Sequence, residues 1–384
     1  MLVAACGPAS PSGHASGAAS NPPPGAGQPL AILLAGLPAG PPPSFTIRLV
    51  QADGQVVARA TANMPPLGQV VNFAVPRVSA SSTRAYYLDG VANVRYLDRL
   101  GNTGFVTSLK LPAGFSQGTF AVSADDKRIA VAVLRYRAAD PSAPGPSYPT
   151  YLGLSLYVED LYGGGNHLEL FSSPTVAEWP VGWTRSGLLL IGVGSPLGPQ
   201  NPLTNPFGAG LGYHVADATT GDRRADACST APGGGAPLLL ASGLPGPAGT
   251  LCFRQPAAVL AGWEGQEKQL SAGPSQNFYP WAGAIAPSGA AALLAGDPMV
   301  LVAASGKRTN LRPGGAPEGF IDASHVVFHP LQAVDASGAR VASGARSANQ
   351  SALAILDISS GAVKTLDAGL GLSGWSLYGV IGSG

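Results

Sequence analysis

Phe120-Ala121-Val122-Ser123-Ala124-Asp125-Asp126-Lys127-Arg128-Ile129-Ala130-Val131 sets an apolar strand, a short polar turn and a second apolar strand end to end. The serine and aspartate side chains can hydrogen-bond their own backbone and so fix a tight reversal, while the flanking β-branched residues favour pleated backbone. Further along, Leu156-Tyr157-Val158-Glu159-Asp160-Leu161-Tyr162-Gly163 is another strand, and it runs out into a turn that carries glycine. Both units recur. Arg185-Ser186-Gly187 precedes an apolar run at 188–193, Pro287-Ser288-Gly289 precedes one at 290–295, and Ala336-Ser337-Gly338 precedes one at 339–342. Strand-then-turn returns at 213–221, 300–306 and 353–361. Glycine supplies the positive φ that such hairpin turns need.

Turn, strand, variable connection, strand, turn is the pattern of a four-stranded antiparallel blade, and blades repeated around an axis make a β-propeller. The stretch 120–131 with its partner at 156–163 resembles the TolB-type propeller repeat, whose usual form is Ser-Pro-Asp-Gly-Lys-x-Ile-Ala; here Ala124 stands for the proline and Asp126 for the glycine. The resemblance extends over roughly residues 70–367. It implies a propeller, and it implies little about function, because that repeat family includes binders, scaffolds and peptidase accessory domains. Blades are expected near 70–112, 117–172, 176–225, 232–271, 278–313 and 317–367. A seventh would join a hairpin at 45–60, turning at Asp53-Gly54, to a C-terminal strand at 375–381. Closing the ring with strands from both chain ends removes exposed edges. The expectation is therefore an all-β protein of about seven blades, six or eight being the neighbouring alternatives, with 30–384 as one propeller domain and 1–29 as a disordered tether.

Composition narrows the function classes. The 384 residues carry 22 basic and 21 acidic side chains, a net +1, which is not the electrostatic footprint of a nucleic-acid binder. No apolar run approaches the roughly 18 residues that cross a bilayer as a helix. With 53 glycines and 36 prolines, long helices are disfavoured. Residues 7–29 contain only small, polar and proline residues and no charge, a composition that cannot bury a core. Just before them, Val3-Ala4-Ala5-Cys6 resembles a bacterial lipobox, in which the cysteine becomes lipid-modified. The apolar stretch of a signal peptide is not present ahead of Cys6, so this reading expects it upstream of Met1. Membrane attachment through Cys6 and an extracytoplasmic location follow as expectations. With Cys6 lipidated, Cys228 and Cys252 remain as a pair suited to a disulfide, the alternative being two free buried thiols.

Catalytic patterns are weak. Gly114-Phe115-Ser116-Gln117-Gly118 matches a nucleophile elbow, but it leads into strand residues where that chemistry needs a helix. Gly369-Leu370-Gly371-Leu372-Ser373-Gly374 matches a dinucleotide fingerprint without the helix and acidic residue that should follow. His325 and His329, four apart on one strand with Asp322 nearby, are the one histidine cluster. The apolar residues between them read as an ordinary strand, so neither a metal nor a cofactor is expected. Aligning the turns at 185–187 and 287–289 puts Trp179 opposite Trp281, with Glu178 and Tyr279 beside them and Trp375 in a comparable segment near the C-terminus. Large stiff rings from several blades suit a binding patch at the mouth of the channel, on the face where inner strands begin. The function expected is a non-catalytic cell-surface or periplasmic binding propeller for a protein, peptide or glycan. The alternative is a propeller-scaffold enzyme, a hydrolase or lyase of glycans.

Overall fold

The computed structural model describes residues 27–34, 44–64, 75–138, 142, 150–194, 206–207, 210–228, 238–254, 257–270, 282–331, 353–366 and 375–382. These residues form 28 strands in seven four-stranded antiparallel sheets, a seven-bladed β-propeller. Blade 1 closes the ring. Its innermost strand is β28 (Ser376–Ile381), followed outward by β1 (Leu30–Leu34), β2 (Ser44–Val50) and β3 (Val56–Asn63). Blades 2 to 7 then follow in chain order: β4 to β7, β8 to β11, β12 to β15, β16 to β19, β20 to β23 and β24 to β27. Their innermost strands are β4 (Val78–Ala80), β8 (Phe115–Val122), β12 (Ala177–Trp183), β16 (Leu239–Leu240), β20 (Gly283–Ile285) and β24 (Gly315–Phe320).

The expected blades match these sheets within a few residues, and both chain ends close the ring. The closing blade differs from expectation in one respect, since the N-terminus contributes β1 as well as the hairpin of β2 and β3. Gly54 turns that hairpin at φ 84°, as its position after Asp53 requires. Residues 1–26, including Cys6, lie outside the described residues. Among the described residues, no helix is long and apolar enough to cross a membrane.

Strand chemistry explains how the blades stack. In a propeller the second strand of each blade is covered on both faces, so it reads as a continuous apolar run. In β9 (Arg128–Arg137), residues 129–134 are all buried. Their alternate side chains go to different neighbours: Ile129, Val131 and Val133 pack with blade 2, whereas Ala130, Ala132 and Leu134 pack with blade 4. Seven apolar clusters result, and each takes its side chains from two adjacent blades.

The innermost strands present their unpaired edges to the channel, and an orphan buried amide or carbonyl there would be costly. Side chains reaching across from other blades cap several of these groups. Ser79 accepts the Val122 N–H at 2.9 Å, Thr119 donates to the Pro76 carbonyl at 2.7 Å, and Trp183 donates to the Ala121 carbonyl at 3.2 Å. Glu318 accepts the Leu377 N–H at 2.6 Å and so ties blade 7 to the closing strand.

Cys228 and Cys252 form a disulfide, with Cα atoms 5.8 Å apart. Cys228 follows the outermost strand of blade 4, β15 (Arg223–Ala227), and Cys252 lies in β17 (Gly249–Arg254) of blade 5. The bridge therefore staples two blades together, beside Tyr213 and Trp263 in their shared core.

The seven innermost strands run in one direction, which gives the ring an N face where they begin and a C face where they end. Connections on the C face are short turns, except in blade 5, where residues 241–248 link its two innermost strands. The long connections at 35–43, 139–149, 195–209 and 332–352 join strand ends on the N face.

Candidate functional site at the C face

The site starts from an irregularity in β12. Pro180 cannot donate to the sheet ladder, and the pairing of β12 with β13 (Leu188–Gly194) slips between Pro180 and Gly182. A bulge of this kind re-aims the side chains beyond it. Before the bulge, Trp179 is 2 % exposed and packs between blades 3 and 4 against Leu154, Leu156 and Leu189. After it, Trp183 is only partly buried, and its ring faces a cavity at the C-face end of the channel.

That cavity has a volume of about 150 Å³. Val78, Val122, Val181, Ile285 and Phe320 give it apolar walls, and Pro245, Pro247 and Pro287 stiffen its rim. Arg185, in the turn after β12, is the single charged side chain among the described residues that line it. Two hydroxyls on the wall already serve the backbone. Ser79 caps Val122, and the Ser81 oxygen accepts the N–H groups of Thr83 and Arg84 at 3.2 and 3.0 Å. Phe207 and Tyr378 also line the cavity, and their rings meet nearly edge-on with centroids 6.4 Å apart. Burial holds the Tyr378 phenol protonated far above its ordinary range; the charge of Glu318 adds to this and that of Arg77 opposes it.

Blade 5 supplies an unusual wall. Its innermost strand has two residues, and the chain then runs along the channel from Ala241 to Ala248 before β17 begins. Contacts hold that segment along its length. Leu244 N–H donates to the Glu318 carbonyl at 2.6 Å, and Trp263 donates to the Gly246 carbonyl at 3.0 Å. At Gly243 a side-chain carbon would lie 2.1 Å from the Gly283 carbonyl oxygen, so only glycine fits. The pocket is thus built on a fixed frame rather than on a loose loop.

Of the residues chosen for the aromatic patch expected on the N face, Trp179 and Trp375 are buried between blades. Trp179 is in a blade interface, and Trp375, 8 % exposed, fills the wedge between blades 1 and 7 with the Arg48 guanidinium 4.5 Å from its ring centroid. The physical reason is common to both. A blade widens away from the axis, and large rings fill the space between neighbours. Glu178 is buried and sits 3.2 Å from His214. Tyr279 and Trp281 lie outside the described residues. His325 and His329 do not converge: His325 Nδ1 meets Asp322 at 2.9 Å, while His329 Nε2 meets Glu318 at 2.8 Å. Among the described residues, no three histidine, cysteine or acidic side chains come together to hold a metal. Ser116 belongs to β8, with its hydroxyl near the Pro112 carbonyl, so a strand and not a helix carries it.

Sequence reasoning missed Trp183 and Arg185 as site residues. The signal was available in Pro180 and Gly182, which together mark a bulge inside an otherwise apolar strand.

No protein-family model matches the chain, and neither does any curated protein sequence. Among solved structures it is similar to an oligogalacturonate lyase in complex with manganese, at 13 % identity over 79 % of this chain and 83 % of that one, with a TM-score of 0.47. It is similar to a protein assigned as TolB from Agrobacterium tumefaciens, at 10 % identity over 88 % of both chains and a TM-score of 0.33. The acylaminoacyl peptidase of Pyrococcus horikoshii is 10 % identical over 88 % of this chain and 52 % of that one, with a TM-score of 0.43. At these identities the likeness is one of fold.

Proposed function

We propose that the chain is an extracytoplasmic binding propeller whose ligand seat is the C-face pocket. The observation that carries this reading is the pocket's composition: walls that are mostly apolar, with the hydroxyls of Ser79, Ser81 and Ser82, one indole at the wall and, among the described residues, one guanidinium at the rim. Apolar surface with a few placed polar groups is the usual make-up of a recognition site, and aromatic and arginine side chains dominate binding hot spots. The disulfide between blades 4 and 5 supports an oxidising compartment. Within that reading Cys6 would carry a lipid anchor; if Cys6→Ala protein, expressed with its upstream reading frame, still fractionates with membranes, the anchor is excluded.

The test of function is a screen of the full chain on peptide and glycan arrays, run beside a turnover assay on the same glycans. Retention of a ligand without turnover is the expected result. Gly182→Leu is the control, because Gly182 lines the pocket and a carbon added there would meet no atom within 4 Å, so the new side chain fills the bowl without straining the fold. That variant is expected to lose the bound ligand while keeping the wild-type circular dichroism. Glycan cleavage or unchanged retention by Gly182→Leu would contradict the proposal.

A further inference from the structure

Resting on that reading, we infer that the pocket is capped from within the chain: Pro22-Pro23-Pro24 docks in it, and a ligand must displace that segment. What points to this occupant is the place where the described body begins. β1 leads into the ring from the C face, where Leu30 pairs with Ile381, the last residue of the closing strand. The Arg99 guanidinium donates to the Gln28 carbonyl, and a side-chain carbon on Gly382 would lie 3.9 Å from the same oxygen. Gly27 and Gln28 are exposed, and Gly27 turns at φ 93°. The residues before Gly27 therefore leave the body on the pocket's own face.

Reach comes next. Ala31 pairs with Val380, which lines the pocket, so this wall is about 5 Å from the strand that the segment leads into. Gly27 is four residues from Ala31, at most about 14 Å of chain. Pro24 to Pro22 lie three to five residues before Gly27, and in the extended form that consecutive prolines favour they reach about 9 to 15 Å. The two lengths match. A segment tethered this closely acts at an effective concentration in the millimolar range, so weak docking is enough to fill the site.

The chemistry of the wall suits proline. About 150 Å³ is the volume of a cavity that holds the six-membered ring of benzene, and the pyrrolidine ring is smaller. Proline segments dock on surfaces lined by aromatic side chains, and their preset conformation leaves little entropy to lose. Trp183 supplies such a ring, its Nε1 already donating to the Ala121 carbonyl, and Pro245, Pro247 and Pro287 stand at the rim. Prolines bring carbonyl acceptors but no N–H donor. The Ser79 and Ser81 oxygens already accept backbone N–H groups, so a segment without donors loses nothing against them. The Ser82 hydroxyl, on an exposed residue of the wall, can donate to a proline carbonyl. Tyr378 is 3 % exposed, and its phenol serves as wall. Residues 1–29 contain no Asp or Glu, so nothing in the docking depends on Arg185.

The experiment compares the full chain with a full-length triple variant, Pro22→Ser, Pro23→Ser, Pro24→Ser. Each is titrated with a fluorescein-labelled peptide of residues 20–29, and with the same peptide carrying serine at positions 22 to 24. The proline peptide is expected to bind the triple variant about tenfold or more tightly than the wild type, whose own segment competes for the pocket. Gly182→Leu added to the triple variant should abolish that binding, and the serine peptide should bind neither protein. Equal binding by wild type and triple variant, binding that survives Gly182→Leu, or no binding to the triple variant would overturn the inference. If the peptide fails while a ligand retained on the arrays is lost in Gly182→Leu, the inference falls and the binding reading stands. Retention of neither peptide nor array ligand would overturn both.

Discussion

Replacing Glu318 by alanine is expected to lower the unfolding free energy by about 3 kcal/mol, the scale of breaking a buried, hydrogen-bonded charge. Glu318 is buried, and its contacts link three parts of the ring. One carboxylate oxygen accepts the Leu377 N–H of the closing strand, and the other meets His329 of β25 (His325–Pro330) at 2.8 Å. Its backbone carbonyl accepts the Leu244 N–H from blade 5. Alanine leaves the amide of the closing strand and a partly buried imidazole without their partner. Glu318→Gln separates the two roles, since an amide oxygen can still accept the Leu377 N–H but carries no charge for His329.

The same pair gives the stability a pH dependence. Burial works to lower the His329 pKa, but the hydrogen bond and charge of Glu318 outweigh it and leave the value raised. A raised histidine stabilises the fold fully below its unfolded value near 6.5, and that contribution fades as pH rises through the folded value. Urea melts at several pH values should show this loss in the wild type and its absence in Glu318→Gln. A flat wild-type profile, with a Glu318→Ala cost below about 1 kcal/mol, would show that the closure does not depend on this contact.

The second large effect concerns Cys228 and Cys252. Their sequence separation is 24, and cross-linking such a loop is worth about 3 kcal/mol in the chain-entropy picture. The segment they close includes Pro232-Gly233-Gly234-Gly235 and Pro245-Gly246-Pro247, and the glycines make it costly to order. Both cysteines are fully buried in the interface of blades 4 and 5, and the innermost strand of blade 5 has only two residues. Loss of the bridge should therefore loosen blade 5 first, and with it the wall of the pocket. Thiol titration of denatured, unreduced protein should find no reactive pair, and the Cys228→Ser, Cys252→Ser double variant should unfold at lower urea. Hydrogen exchange should rise first in β17 and β18 (Ala257–Gly262). Two reactive thiols, or an unchanged urea midpoint, would refute it.

The turns carried most of the fold. Asp125-Asp126, Arg185-Ser186-Gly187 and Pro287-Ser288-Gly289 mark reversals by local chemistry that needs no tertiary context. β1 was harder to read, because every one of its residues is buried and the alternation that marks a half-exposed strand is missing. The site was less legible than the fold. Trp179 and Trp183 both pack on the core between blades 3 and 4, and Trp183, further along β12 toward the C face, also lines the pocket. Glu318 and His329 are 11 residues apart, and Glu178 and His214 lie on strands that are not adjacent. No local pattern announces such pairs.

The measurement closest to the central claim is an anisotropy titration of one array-selected ligand against three proteins: wild type, Gly182→Leu and Leu211→Asp. Gly182 faces the C-face pocket, whereas Leu211, 55 % exposed, stands at the N-face end of β14. The account predicts that Gly182→Leu weakens binding by about a hundredfold, the loss of one buried apolar side chain's contact, and that Leu211→Asp binds within about twofold of wild type. The reverse pattern, with Leu211→Asp crippled and Gly182→Leu intact, would contradict the account and return the site to the N face.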